Sequence, residues 1–461
     1  MEMTDVLVIL MFTAFIALLF SGYPIAFVLG GVAFIFTVVG HFSDSYLGTA
    51  TGLDIGILGM VVNRTFKLMS NWVLVAVPLF VFMGLMLDRS GLAELMMNSM
   101  QNLFGRVRGG LAITVAVIGI VLAASTGIIG ASVVLLGVLS LPTMLNQGYD
   151  RTLAVGTVAA SGTLGILIPP SIMLVIMADQ LNLSVGDLFM GAVVPGLILG
   201  FLYIAYILMV GWFKPGRAPL APDRQAMNWK VFFQVIKSLV PSAVLILIVL
   251  GSIFAGLATP TEASGVGALG ATVLGVCNRK LSIKAIREVT VSTFRTCGYI
   301  FGIFLGAQAF ALVLRMLGGD EFIESILTGL PFGPTGVVVV ILLAVFFMGF
   351  FLDWIEICLI VLPLLAPVVS SLNLSIDGRG IIDNPELVWF AILVAVCLQT
   401  SFLTPPVGFA IFFLQGVAPK EIKLLDIYKG VVPYIILQLI GLSIVFLWPQ
   451  MIIWLPVTAY R

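Results

Sequence analysis

The chain is a succession of apolar segments, each close to the roughly 20 residues needed to cross a bilayer's hydrocarbon core, and its charges lie between them. Ten such segments lie near residues 5–21, 24–40, 72–88, 152–178, 188–213, 238–257, 262–278, 294–317, 386–417 and 430–456. In hydrocarbon, backbone amides and carbonyls must be satisfied within the protein, which leaves helices or closed barrels. Runs of this length are helical. Of 461 residues, 61% are hydrophobic and 10% charged, against about 25% charged in soluble domains. The expected fold class is an all-α polytopic membrane protein.

Two further apolar stretches, about 110–147 and 334–371, are too long for one crossing, and each has a polar or glycine-rich middle. The middles read Ala124-Ser125-Thr126-Gly127 and Gly349-Phe350-Phe351-Leu352-Asp353. We read both stretches as re-entrant helical hairpins; two full antiparallel spans in each stretch are the alternative. Two other segments break at paired prolines in nearly the same wording, Gly165-Ile-Leu-Ile-Pro169-Pro170-Ser171 and, 236 residues later, Ser401-Phe-Leu-Thr404-Pro405-Pro406-Val407. Proline removes a backbone donor and clashes with the preceding turn, so these are broken helices. Interrupted membrane helices in matching positions of two halves point to a transporter's binding site.

If both hairpins return to the side they left, 17 of the 22 Lys and Arg residues fall on one face, leaving Arg64, Lys67, Arg315, Arg379 and Arg461 opposite. The positive-inside rule makes the rich face cytoplasmic and both termini external. Counting each hairpin as two spans gives the same sidedness. The halves then run in opposite senses, as inverted-topology repeats with the site between them at the midplane. The basic loop from Lys214 to Arg224 is the expected crossover between halves. Formal charge is balanced, which gives no nucleic-acid footprint. Four scattered cysteines without CxxC spacing and a single histidine, His41, leave no zinc site, disulfide framework or histidine-based catalytic centre. No cofactor is expected. The N-terminus lacks a basic n-region and reads as a retained first helix.

Several motifs together resemble one family. They are Ser21-Gly22-Tyr23-Pro24-Ile25-Ala26, Gly162-Thr-Leu-Gly165-Ile-Leu-Ile-Pro-Pro-Ser171, Ala258-Thr-Pro-Thr-Glu262-Ala-Ser-Gly265, Phe351-Leu-Asp353-Trp-Ile-Glu356 and Leu403-Thr-Pro-Pro-Val-Gly408. In that order they resemble the large membrane subunit, the DctM-like permease, of tripartite ATP-independent periplasmic (TRAP) transporters. The resemblance implies an elevator-type fold of the ion-transporter superfamily in a bacterial inner membrane. It also implies a sodium-driven importer of organic acids, with a periplasmic binding protein and a small four-helix membrane subunit as partners. Its implied division is scaffold helices at 1–71, a span and arm helix at 72–109, and the first transport half at 110–187. Scaffold helices and the linker follow at 188–280, an arm and span at 281–320, the second transport half at 321–418, and a scaffold helix at 419–461. No GxxxxGK[ST] loop is present for ATP, and no facing acid pairs or Ser/His pairs for an intramembrane enzyme. A stand-alone sodium–carboxylate transporter of the same fold is the alternative.

A hard cation takes several oxygens, and a hairpin tip facing a helix break supplies carbonyls and hydroxyls without an acid. Sodium site 1 is expected from Ser125, Thr126 and Gly127 at the tip with Gly165, Ile168 and Pro170 at the break. By similarity, site 2 is expected from Gly349 with Ser401, Thr404 and Val407. Each hydroxyl could instead cap or back-bond its helix. Asp353 is open to two readings, helix capping or a substrate role. Glu262 fits a capping box with Thr259 as N-cap and Pro260 at N1. A carboxylate substrate finds no mid-span arginine, so the helix starts at Ser171 and at Val407-Gly408 are expected to hold it.

Overall fold

The computed structural model describes residues 3–127, 129–221 and 229–460, excluding the side chains of 123–126 and 230. Among the described residues the expected membrane segments are helical apart from their ends and the breaks at 167–171, 404–408 and 448–449, and nine helices are long and apolar enough to cross a bilayer. Their outward faces are apolar, with Trp212 82% and Phe201 77% exposed on the helix Val185–Phe213. In water such residues would be a liability; in lipid they are ordinary. Of the crossover, 222–228 lie outside the described residues, as does Arg461.

Contacts group the chain into two units. The first comprises Met1–Trp72, Arg295–Ile341 and Trp354–Ser375. Its helices Met3–Leu19 and Ile25–Leu47 pack on the helix Ile283–Met316, with the Phe15 and Phe310 rings 5.3 Å apart. A Cβ at Gly306 would lie 2.5 Å from the Ala26 carbonyl oxygen, so the backbones meet directly there. After Ile25–Leu47, Asp44 gathers the hydroxyls of Thr49 and Thr51 and the amides of Thr51 and Gly52, which folds the loop back on its own helix. The short helix Leu58–Met69 follows.

The second unit comprises Val73–Phe294, Leu342–Asp353 and Ile376–Arg461. It holds the first hairpin, whose limbs Gly110–Thr126 and Ile129–Asn146 turn at Gly127 in the left-handed region (φ 59°), where glycine alone is unstrained. It also holds both broken helices. The first runs Arg151–Thr163, passes through a tight turn at Leu164–Ile166, and resumes as Ile172–Leu181. The second runs Pro385–Leu403 and resumes as Phe409–Val417. Pro169-Pro170 and Pro405-Pro406 are both cis, a matching feature that the wording did not reveal. Helix starts follow local chemistry. Asp150 accepts the Thr152 and Leu153 amides, and Thr259 and Glu262 form the expected capping box ahead of Pro260–Cys277.

Three elements differ in detail from the segments read in the sequence. The arm and span expected within 281–320 are one continuous helix, Ile283–Met316. The matching junction in the first half, between Ala76–Arg89 and Leu92–Phe104, is broken by Gly91 (φ 73°), whereas 282–297 contain no glycine or proline. The segment at 430–456 is not one span: Leu424–Leu447 stops at Trp448-Pro449, and Gln450–Ala459 begins anew. The second long limb is not uniformly α-helical, since Ile357–Val361 widens to π geometry just before Pro363 removes a donor.

Within the second unit, the helix Leu424–Leu447 lies backbone to backbone on Arg151–Thr163. A Cβ at Gly156 would lie 2.1 Å from the Gly430 carbonyl oxygen, and one at Gly430 would lie 2.4 Å from that of Thr152. Small residues allow this close approach in membrane helices. Gly156→Ala should therefore lower the stability of the purified protein by about 1–3 kcal/mol through overpacking. Gly216→Ala, with open space around it, should leave the melting temperature within error of wild type; equal melting temperatures for both variants would refute the contact.

Candidate functional site: two tips against two breaks

Each hairpin turn meets a broken helix. At the first, a Cβ on Gly127 would lie 3.1 Å from Ile172 Cγ1 and 3.2 Å from the Ile172 amide nitrogen. The tip is thus seated over the start of Ile172–Leu181, where backbone amides present the positive end of the helix. Limb and helix are closely fitted above it: a Cβ on Gly119 would strike Ser161, and one on Gly162 would strike Val133. At the second, a Cβ on Gly349 would lie 2.2 Å from Ser401 Oγ. Sequence-expected residues are brought together directly here.

The first break is buried from Leu164 through Ser171. Its Ser171 hydroxyl donates to the Ile166 carbonyl and leaves the first turn of Ile172–Leu181 without a side-chain cap. Among the described residues, no donor reaches the carbonyls of Ile168 or Pro170. A buried carbonyl left without a partner costs roughly 1–3 kcal/mol. Gly165 lies in the tight turn at Leu164–Ile166. Ser125 and Thr126 close the limb Gly110–Thr126, but their side chains lie outside the description.

The second break is more open. Ser401 is buried, Thr404 is half-buried, and Val407 is 42% exposed. Ser401 Oγ donates to the Leu398 carbonyl at 2.9 Å and Thr404 Oγ1 to that of Thr400 at 2.8 Å, so the back-bonding reading of both hydroxyls is correct. It does not exclude the other, because a hydroxyl that donates keeps its lone pairs for a cation. Gly408, at φ 53°, is the N-cap of Phe409–Val417 and brings no side chain to that start. Asp353 is half-buried and immediately precedes the helix beginning at Trp354, the position of an N-cap. Glu356 is buried one turn on.

Sequence reasoning missed a cluster two residues before each break. Gln399 Nε2 donates to Thr163 Oγ1 and to the Tyr203 hydroxyl, both at 3.4 Å. Gln438 Nε2 donates to the Tyr203 hydroxyl at 2.8 Å and to Thr163 Oγ1 at 3.5 Å. All four side chains are buried. The available signal was the 236-residue offset of the prolines, which also relates Thr163 to Gln399.

The contact of Gly349 with Ser401 makes a reciprocal prediction. Gly349→Ala should lower the melting temperature by creating a clash, and adding Ser401→Gly should restore most of the loss, a coupling expected only of residues in contact. Additive losses in the double variant would refute the contact.

The same architecture and sequence recur in known proteins. The solved structure of the Alcanivorax borkumensis YdaH transporter has a similar fold, with TM-score 0.61 over 86% of this chain and 89% of that one at 13% identity. In sequence the chain is similar to the C4-dicarboxylate TRAP transporter large permease protein of Vibrio cholerae, 28% identical with 97% of each chain covered. It is also similar to the sialic acid TRAP transporter large permease protein of the same organism, 27% identical with 96% of each covered. These relatives are permeases, not enzymes. The model of the tripartite ATP-independent periplasmic transporter DctM component matches residues 12–451, and the chain belongs to that family of membrane transport subunits.

Proposed function

We propose that this chain is the permease of a sodium-coupled importer of an organic acid. It would take its substrate from a periplasmic binding protein and work beside a small membrane subunit in the bacterial inner membrane, both termini periplasmic. The observation that carries this reading is the seating of one hairpin tip on each break, Gly127 at Ile172 and Gly349 at Ser401. Each seat gathers backbone carbonyls and hydroxyls around a helix discontinuity, the oxygen-rich setting a sodium ion requires. Sodium site 1 would use Ser125, Thr126, Gly127, Gly165, Ile168 and Pro170, and site 2 Gly349, Ser401, Thr404 and Val407.

The substrate carboxylate would lie against the uncapped helix starts at Ser171 and Gly408, with Asp353 bordering the same region. Carboxylate substrates fit the names of the relatives, a C4-dicarboxylate and a sialic acid permease. Transport would proceed by an elevator motion in which hairpins and broken helices move together, filled with substrate and sodium. Binding energy from sodium at a tip would hold that tip closed, which couples the ion gradient to substrate movement.

The test is uptake into proteoliposomes holding this chain and its small membrane partner, under an inward sodium gradient, with the binding protein loaded with labelled organic acid. Uptake is expected to need both sodium and the binding protein. Uptake of free substrate by this chain alone would replace the tripartite reading with the stand-alone carboxylate transporter. In the same assay Thr404→Val should raise the sodium concentration for half-maximal uptake about tenfold, equivalent to about 1.4 kcal/mol of lost binding. Unchanged sodium dependence would remove Thr404 from site 2.

A further inference from the structure

Thr163 and Gln399 occupy equivalent places in the two repeats, each two residues before the glycine or serine that opens the break wording, and they are hydrogen-bonded to one another. Two equivalent positions of inverted repeats can touch only where the axis relating the repeats passes between them. The bond therefore marks that axis. Tyr203 and Gln438 come from Val185–Phe213 and Leu424–Leu447, the helices that follow each broken helix, and complete the cluster from the other side of it. Tyr203 packs edge-on against Tyr434, ring centroids 5.3 Å apart, and the Tyr434 hydroxyl shares a 2.6 Å bond with Thr157 on the first broken helix.

We propose that Thr163, Gln399, Gln438 and Tyr203 form a polar lock that fixes the spacing of the two breaks, so that a change at one is felt at the other. The residues are positioning residues. They do not line either tip-and-break seat, and their effect reaches the seats through the two to five residues that separate Thr163 from Gly165–Ile168 and Gln399 from Ser401–Thr404. Three features support a lock over incidental burial. Four helices contribute, all four side chains are buried, and Thr163 Oγ1 and the Tyr203 hydroxyl each accept from both amides. Among the described residues the amide oxygens of Gln399 and Gln438 have no partner, so the cluster is held by these donated bonds, not by saturation of every polar atom.

The lock has a second consequence. It joins Val185–Phe213 and Leu424–Leu447 to the broken helices through buried polar bonds, reinforced by the glycine contact of Gly156 with Gly430. Apolar surfaces slide past one another more readily than interlocked backbones and buried hydrogen bonds. These two helices are therefore held to the breaks by backbone contact and buried polar bonds.

The inference rests on the proposed transport reading only for its purpose, and hydrogen–deuterium exchange on the purified chain tests it separately. Thr163→Val removes the shared acceptor while keeping the shape. Exchange should then quicken several-fold at Thr404, Val407 and Gly408 in the other repeat, and Gln399→Met should do the same at Leu164–Ile168. Thr163→Ser, which keeps the hydroxyl, should restore wild-type exchange at the far break. A merely local packing role would loosen only the mutated helix, and wild-type exchange at the far break in folded Thr163→Val or Gln399→Met protein would overturn the lock. Repeating the wild-type measurement with and without sodium judges the function instead: no slowing at either break would count against sodium binding there and leave the lock's own result intact.

Discussion

The constraint on which this structure turns is the cost of an unmet backbone group in hydrocarbon. A membrane helix is tolerated because it satisfies its own amides and carbonyls, and each paired proline cancels that advantage at one place. Whatever surrounds Ile168-Pro169-Pro170 and Thr404-Pro405-Pro406 must therefore supply what the helix no longer can. The protein answers with hairpin turns that carry glycines at 127 and 349, and these approach closely because they have no Cβ. Close approach brings turn and break together.

That answer also explains what was legible in the sequence. Helix extent followed from apolar length, and helix starts from local chemistry, as the Thr259–Glu262 capping box illustrates. Gly127 could be read as a turn because the small and polar run Ala124-Ser125-Thr126-Gly127 interrupts a long apolar stretch. The misses have a common origin in contacts or backbone states that single-segment reading does not contain. Continuity of Ile283–Met316 depends on the absence of a glycine at a junction, which looks in sequence like the expected arm followed by a span. The π stretch at Ile357–Val361 arises from the way Pro363 and Pro367 disturb the ladder around them. The stop before Trp448-Pro449 was hidden by the apolar character on both sides of it.

The candidate site was legible in its pairing and less so in its chemistry. Ser401 and Thr404 do back-bond to their own helix, so hydroxyl count alone overstates how many donors to a cation are free of other duties. Ser171 likewise spends its proton on Ile166 and not on capping the helix it begins. Gln399 escaped notice because a glutamine that ends an apolar run such as Val394–Leu398 and opens the polar Gln399-Thr400-Ser401 reads as a tolerated polar intrusion. Only its partner on the other repeat gives it meaning, and that partner lies 236 residues away.

Repeat symmetry and its failure bear on mechanism together. The two breaks share wording, offset and cis prolines, yet the first is buried throughout while Pro406 and Val407 of the second are exposed. Two copies of one motif in inverted orientation need not hold the same state at the same moment. In an alternating-access cycle they cannot, because one side of the substrate is open when the other is closed. A polar lock on the symmetry axis is compatible with that exchange, since its bond between Thr163 and Gln399 joins equivalent positions of the two halves. Bonds placed off the axis would favour one state over the other, and the position of Thr163 and Gln399 is the one at which a buried contact leaves the balance between the states undisturbed.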